Sequence, residues 1–378
     1  MSAVRVLTAN PGSASVKLAV VDGGMERESI TIDAASVPSA HGPLSELASR
    51  WAPIDAAAIR FVHGGAHGEP VVLDARVLDR LAELVPLAPL HQPLSLTMAE
   101  IVMTELDSPV VACFDTAFHA AMPEPATRYA LPRDWVRDLR LRRHGFHGLS
   151  CANALRRCTE LLDVDPLGLR VVCGHIGSGV SVTAIRDGHG VDTSMGFTPL
   201  EGAVMGTRSG SVDPGLLLHL LDIGLTDSAG LAHVLSYQSG LAGMTGTSGD
   251  IREVLAARAD GDPDAALAIE VYLHRLRREI GAVSASLDRV DALVFTGGVA
   301  EHQPHLIADL VAGLHLLGVA VDPVRLRGTG DRVISPAGSR VPVLVVTARE
   351  DLEMARQTAN LLIGNATGPL VATKGIPS

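Results

Sequence analysis

Short apolar runs closed by Gly, Asn and Asp alternate along the chain with longer stretches whose apolar residues recur every three or four positions. Residues 4–7 predict a strand, Asn10-Pro-Gly-Ser13 a turn, and residues 15–21 a second strand closed by Asp22 and Gly23, together a hairpin with a Gly/Ser loop. The same order returns mid-chain: a strand at 169–173, the run Gly174-His-Ile-Gly-Ser-Gly179, a strand at 181–185, then Asp187 and Gly188. Laid side by side without gaps, Gly12, Ser13, Ala19, Asp22 and Gly23 fall on Gly177, Ser178, Ala184, Asp187 and Gly188, which predicts an internal duplication. Three- and four-residue spacing predicts helices over 74–85, 94–106, 263–287 and 350–362. Further strands are expected at 58–62, Val110–Phe114, Ala292–Thr296 and Val343–Val346.

Hairpins followed by alternating strands and helices, twice over, predict an α/β chain of two domains with a cleft between them. The first would take residues 1–115 with 348–378 and the second 116–347. A phosphate-cradling hairpin loop from each half is the arrangement of the actin-like ATPase superfamily, with duplicated ribonuclease H-like domains; that step is analogy. The 378 residues carry 31 basic and 42 acidic side chains, a net charge of −11, which argues against a nucleic-acid surface. Four irregularly spaced cysteines suit neither a disulfide framework nor a Cys-x-x-Cys metal site. No apolar run reaches the roughly 20 residues that a bilayer span needs, and the first residues lack a signal-peptide core. A soluble, cytoplasmic protein is therefore expected.

Three glycine-rich turns are candidates for phosphate or nucleotide contact. Asn10, Ser13, Ser15 and Lys17 lie on the first, where consecutive N–H groups can form an anion nest; an ordinary hairpin turn is the alternative. Gly177, Ser178 and Gly179 form the second, and the third, at Gly298 and Val299, presents bare backbone to a nucleoside ring. Arg60 ends a strand, and Arg208 lies among small residues in Gly206-Thr-Arg-Ser-Gly210; both offer bidentate donors for carboxylate or phosphate, with surface ion pairs as the rival role. Asp115 and Glu350 stand where strands end, suited to hold Mg²⁺ through water, or else to serve as a turn residue and a helix N-terminus. The pairs His63/His67 and His144/His147 lie in glycine-broken segments, so His91, His147 and His175 read as hydrogen-bond donors to anions rather than as metal ligands.

On these residues the chain resembles the acetate kinase family. The block from Val191 to Gly202, continued by Met205-Gly-Thr-Arg-Ser-Gly210, is similar to that family's central signature. Segments 10–17, 60–65, 88–91, 114–119 and 143–148 follow in the family order. The resemblance implies reversible transfer of the ATP γ-phosphoryl group to acetate, giving acetyl phosphate and ADP, or else to propionate or butyrate. A non-enzymatic actin-like nucleotide-binding module is the alternative of another class. It further implies that Arg60 and Arg208 hold the carboxylate and the moving phosphoryl group, with Asp115 also catalytic. Asp115 and Glu350 would position Mg²⁺ or Mn²⁺, with Asn10 and Ser13 beside metal and phosphates. His147 would bond the transition state, with His91 and His175 nearby. Val62, Leu90, Phe146 and Pro199 would line a small methyl pocket, Gly298 and Val299 would flank adenosine, and the protein would be a homodimer without nucleic-acid or membrane partners.

Departures from the family pattern gather around the nucleotide: Ser178 where Asn is usual, Ala300 for Gly, and His302 for Asn. The acid motif is one residue longer, leaving Glu350 and Asp351 both as candidates, and His-Asn-Pro-Pro becomes His91-Gln-Pro-Leu94. These changes predict conserved phosphoryl chemistry with altered nucleotide affinity or donor choice. Titration calorimetry with ATP and other phosphoryl donors checks this, and ordinary ATP affinity with no tolerance of other donors would refute it.

Overall fold

The computed structural model describes residues 4–12 and 15–366. These divide into two compact units, with the chain passing from the first to the second after Ala117 and returning at Arg349. No helix among the described residues is long and apolar enough to cross a membrane.

The first unit holds β1 (Arg5–Pro11), β2 (Ser15–Asp22), β3 (Met25–Asp33), β4 (Ala56–Phe61), β5 (Val71–Val72) and β6 (Val110–Phe114) in the order β3-β2-β1-β4-β6-β5. β1, β4 and β6 run parallel, and the hairpin partners run antiparallel to them. Leu7, Ala9, Ala57, Ile59, Phe61, Ala112 and Phe114 share one core with helices His41–Arg50, Ala75–Ala82 and Gln92–Glu105. Side chains alternate across a strand, so Thr8, Asn10, Arg60 and Cys113 point to the opposite face. There helix Glu350–Ala366 packs, and the Cys113 thiol reaches the carbonyl of Met354.

The second unit holds β7 (Arg170–Ile176), β8 (Val180–Arg186), β9 (His189–Thr193), β10 (Ala292–Thr296), β11 (Arg332–Val333) and β12 (Val343–Val346) in the order β11-β12-β10-β7-β8-β9. Read from the other edge, this is the order of the first sheet, with the same parallel and antiparallel pairings. Helix Gly148–Leu162 covers the face that carries Val171 and Cys173, and helix Pro263–Ser284 packs against β7 and β8.

The strands at Val110–Phe114, Ala292–Thr296 and Val343–Val346 fall where the apolar runs place them. Helix Ala75–Ala82 starts from the Asp74 side chain, which accepts from the Val77 N–H, and helix Pro263–Ser284 from an Asp262 cap followed by proline. Two expectations need correcting. Asn10 and Pro11 are not turn residues but continue β1, paired with Lys17 and Val16. The ungapped superposition of the hairpins also fails past the loop. Residues 12–15 separate the last pair Pro11/Val16, whereas only 177–179 separate Ile176/Val180. Aligned through β1 and β7, the partner strands are one residue out of step, and in a strand one residue exchanges the faces.

Gly297 joins β10 to helix Gly298–His302 with φ at +93°, and a Cβ there would lie 2.7 Å from the Ile176 carbonyl oxygen. Gly297→Ala is expected to cost about 2 kcal/mol or more, because a positive φ and a backbone collision add. Urea denaturation measures it; an unchanged midpoint would show that this junction can shift.

Candidate functional site

In the first unit, β1 and β4 pair Ala9 with Ile59, and β4 and β6 pair Arg60 with Cys113, so Asn10, Arg60 and Asp115 gather at the carboxyl ends of neighbouring parallel strands. That end of an open α/β sheet is where ligands bind. The Arg60 Nη2 donates to Asp115 Oδ2 at 2.6 Å, and its Nε lies 3.2 Å from the same oxygen. Its Nη1 donates to Asn10 Oδ1 at 3.1 Å and lies 3.3 Å from Glu350 Oε2. The Asn10 amide closes the ring by donating to Glu350 Oε2 at 3.0 Å. Burial pulls the Arg60 pKa down, but the Asp115 and Glu350 carboxylates outweigh it and hold the guanidinium above its ordinary value.

Of the two candidate acids, Glu350 faces Arg60 at 3.3 Å and Asp351 faces Lys17 at 3.5 Å. Lys17 also donates to Glu26 at 2.7 Å. Burial, then the hydrogen-bonded Glu26, push the Asp351 carboxyl up to about 6. Val62 is buried beyond the end of β4, while Leu90 and His91 are half-buried just before helix Gln92–Glu105. Ser15 opens β2, and Ser13 lies outside the described residues.

In the second unit, His175 is on the face of β7 that meets helix Gly148–Leu162, and its Nδ1 is 2.8 Å from the Ser150 hydroxyl. His147 precedes that helix in a left-handed conformation, φ 56°, with Nδ1 3.0 Å from Ser181 Oγ. The two imidazoles stack with centroids 4.1 Å apart. Arg208 is 9% exposed and donates to the Pro199 carbonyl at 2.8 Å, yet among the described residues it makes no ion pair. Burial lowers it to about 10, so it remains a cation at neutral pH.

Glycine at 179 makes this cluster possible. A Cβ there would sit 2.8 Å from Arg208 Nη2 and 3.1 Å from His147 Nε2, and one at Gly177 would sit 3.2 Å from His175 Nε2. His147, His175, Arg208 and the turn at 177–179 therefore form one group, with Ser178 exposed at its tip. Phe146 is buried beside His147, and Pro199 is half-buried. Gly298 is exposed and Val299 half-buried at the start of helix Gly298–His302. Ala300 lies buried inside that helix, where alanine is favoured over glycine.

Sequence reasoning missed the supports of this group. Arg143 donates to the carbonyls of Thr193, Ser194 and Met195 and, at 2.6 Å, to Glu201. Tyr129 donates to Glu201 and accepts from the Phe197 N–H, both at 2.8 Å. The buried His119 ring bonds the Phe146 carbonyl at 3.0 Å, next to His147. Only the presence of Arg143 and His119 inside the quoted motifs could have drawn attention to them.

Among the described residues no cluster of three or more His, Cys, Asp or Glu side chains is arranged to hold a metal. The hard oxygen donors around Arg60 do suit Mg²⁺ retained through water.

The model of the acetokinase family matches residues 36–356. A Streptomyces avermitilis acetate kinase is 41% identical over 403 residues, covering 97% of this chain and 99% of that one. The crystal structure of Porphyromonas gingivalis acetate kinase superposes with a TM-score of 0.85 at 34% identity, and that of a Francisella tularensis propionate kinase with 0.87 at 30%. Each covers 95% of this chain and 100% of the other.

Burial lowers His119 to about 4. A base with a depressed folded pKa binds fewer protons folded than unfolded, so its contribution is complete above the unfolded value near 6.5 and is lost as pH falls toward about 4. The loss reaches at most about 3 kcal/mol. Urea titrations at several pH values should show a shallower acid slope for His119→Gln than for the parent; identical slopes would clear His119 of this role.

Proposed function

The chain belongs to the acetate kinase family and has the actin-like ATPase fold, and on that premise we propose that it transfers the γ-phosphoryl group of ATP reversibly to acetate, giving acetyl phosphate and ADP. The observation that carries this reading is Arg208, a buried cation without a carboxylate partner among the described residues, set against His147 and a glycine turn. Such a group is prepared for an anion.

The acceptor needs no general base, since a carboxylic acid with a pKa of about 4–5 is already ionised at neutral pH. The obstacle is repulsion between anions, about 1 kcal/mol at about 4 Å in water and about 4 at an effective dielectric near 20. Arg60 and Arg208 hold the carboxylate and the moving phosphoryl group, and His147 donates to the equatorial oxygens, so that displacement is direct and in line. Asn10 and Glu350, with Asp115, are the oxygen donors that fit Mg²⁺ or Mn²⁺, which when bound would neutralise phosphate charge. Ser15, Lys17, His175 and the turn at 177–179 meet the phosphates, Gly298 and Val299 the nucleoside, and Val62, Leu90, His91, Phe146 and Pro199 the acyl group.

The likeness to a propionate kinase favours propionate as a second acceptor, because one methylene in an apolar pocket changes discrimination by only about 1–3 kcal/mol. The matching strand orders support duplicated ribonuclease H-like domains, with their boundary near residues 116 and 348. Exposed Leu216, Leu218, Ile223, Leu225 and Tyr237, on and between helices Pro214–Asp222 and Ser228–Tyr237, support a homodimer formed through this face. Four free, buried cysteines support a reducing, cytoplasmic setting.

Hydroxamate trapping with ATP, Mg²⁺ and a carboxylate series tests the reaction, with acetyl hydroxamate expected. Arg208→Ala should lower kcat by about 100-fold or more through lost charge stabilisation. Near-parental turnover in that variant would remove Arg208 from the mechanism.

A further inference from the structure

Gln92 is a fully buried polar side chain at the first position of helix Gln92–Glu105, immediately after His91. Its amide is used at both ends. The Oε1 accepts from the His63 N–H at 3.2 Å, while Nε2 donates to the His63 carbonyl at 3.0 Å and to the Leu81 carbonyl at 3.2 Å. The side chain thus pairs with His63 as a neighbouring strand would, just where β4 has ended and no strand continues the ladder. Buried main-chain groups require such partners, and leaving one unpaired is costly.

The segment so held has little freedom on its other side. The Gly64 N–H donates to Thr116 Oγ1 at 3.1 Å, and a Cβ on Gly64 would lie 2.6 Å from the Phe114 ring. Val62 precedes His63, and Leu90 and His91 precede Gln92, so one amide joins two separate stretches of chain that carry candidate acyl contacts.

We propose that Gln92 is a specificity-determining positioning residue: its amide, bonded to both main-chain groups of His63, holds Val62 at a fixed spacing from Leu90 and His91 and so sets the width available to the acyl chain. The proposal rests on the acyl-kinase reading above. Rejecting one extra methylene, worth roughly 10–200-fold in kcat/KM, requires a pocket wall that does not yield. Without the amide, the His63 segment can settle at more than one distance from the helix, and the discrimination falls.

The test measures kcat/KM for acetate, propionate and butyrate in the full chain, with the KM for ATP alongside. Gln92→Asn, one methylene too short to reach both His63 groups, should change the acetate-to-propionate ratio by about 5-fold or more while the KM for ATP stays within about twofold. Gln92→Met keeps length and volume without the hydrogen bonds and should do the same, which covers the case in which Gln92→Asn does not fold. A parent-like ratio in a folded variant overturns the proposal, as does a loss shared equally by all three carboxylates and ATP, which would mark a merely structural role. A parent enzyme that phosphorylates none of the three would end the acyl-kinase reading and this proposal with it, and is told apart because it needs no variant.

Discussion

A guanidinium that leaves water must be given something in return, and the two central arginines of this chain receive very different compensation. Arg60 is enclosed by Asp115, Glu350 and the Asn10 amide, which keep it charged and fix its direction. Arg208 has the Pro199 carbonyl, and burial alone sets its pKa shift. Desolvating a charge without an opposite charge is unfavourable, and an arriving anion relieves it. The first arginine thus lies among two carboxylates and an amide, and the second has no carboxylate partner among the described residues.

Ordinary rules of strand geometry bring these groups into place. Alternation along β1, β4 and β6 sends Asn10 and Arg60 to the face where helix Glu350–Ala366 begins, so a residue 340 positions away in sequence can bond Asn10. Alternation along β7 sends His175 toward helix Gly148–Leu162, whose preceding residue is His147. Close approach is then a matter of what is missing. Gly179 lacks the one atom that would occupy the space between Arg208 and His147. Behind them, Arg143 gathers the carbonyls of 193–195, because a loop that ends in the Pro199 carbonyl can orient Arg208 only if it is itself held.

Much of this was legible along the chain. Buried parallel strands are continuous apolar runs bounded by turn residues, so Val110–Phe114, Ala292–Thr296 and Val343–Val346 could be read directly. Strand ends drew attention to Arg60 and Asp115, a run of small residues to Arg208, and the order of the motifs to His147. The hairpin register was not legible: a loop shortened by one residue leaves the strand pattern intact and changes only who faces whom.

Local pattern by itself therefore determined the central strands, several helices, the repeat of the leading hairpin and the residue types available for handling anions. Tertiary structure decided the partnerships: Glu350 rather than Asp351 beside Arg60, Arg208 with the Pro199 carbonyl, Arg143 with its carbonyls, and Gln92 bridging to His63. The physical reason is range. Secondary structure follows from neighbours a few residues apart, whereas the charge and hydrogen-bond state of a buried group depends on atoms that only folding brings within about 3–4 Å.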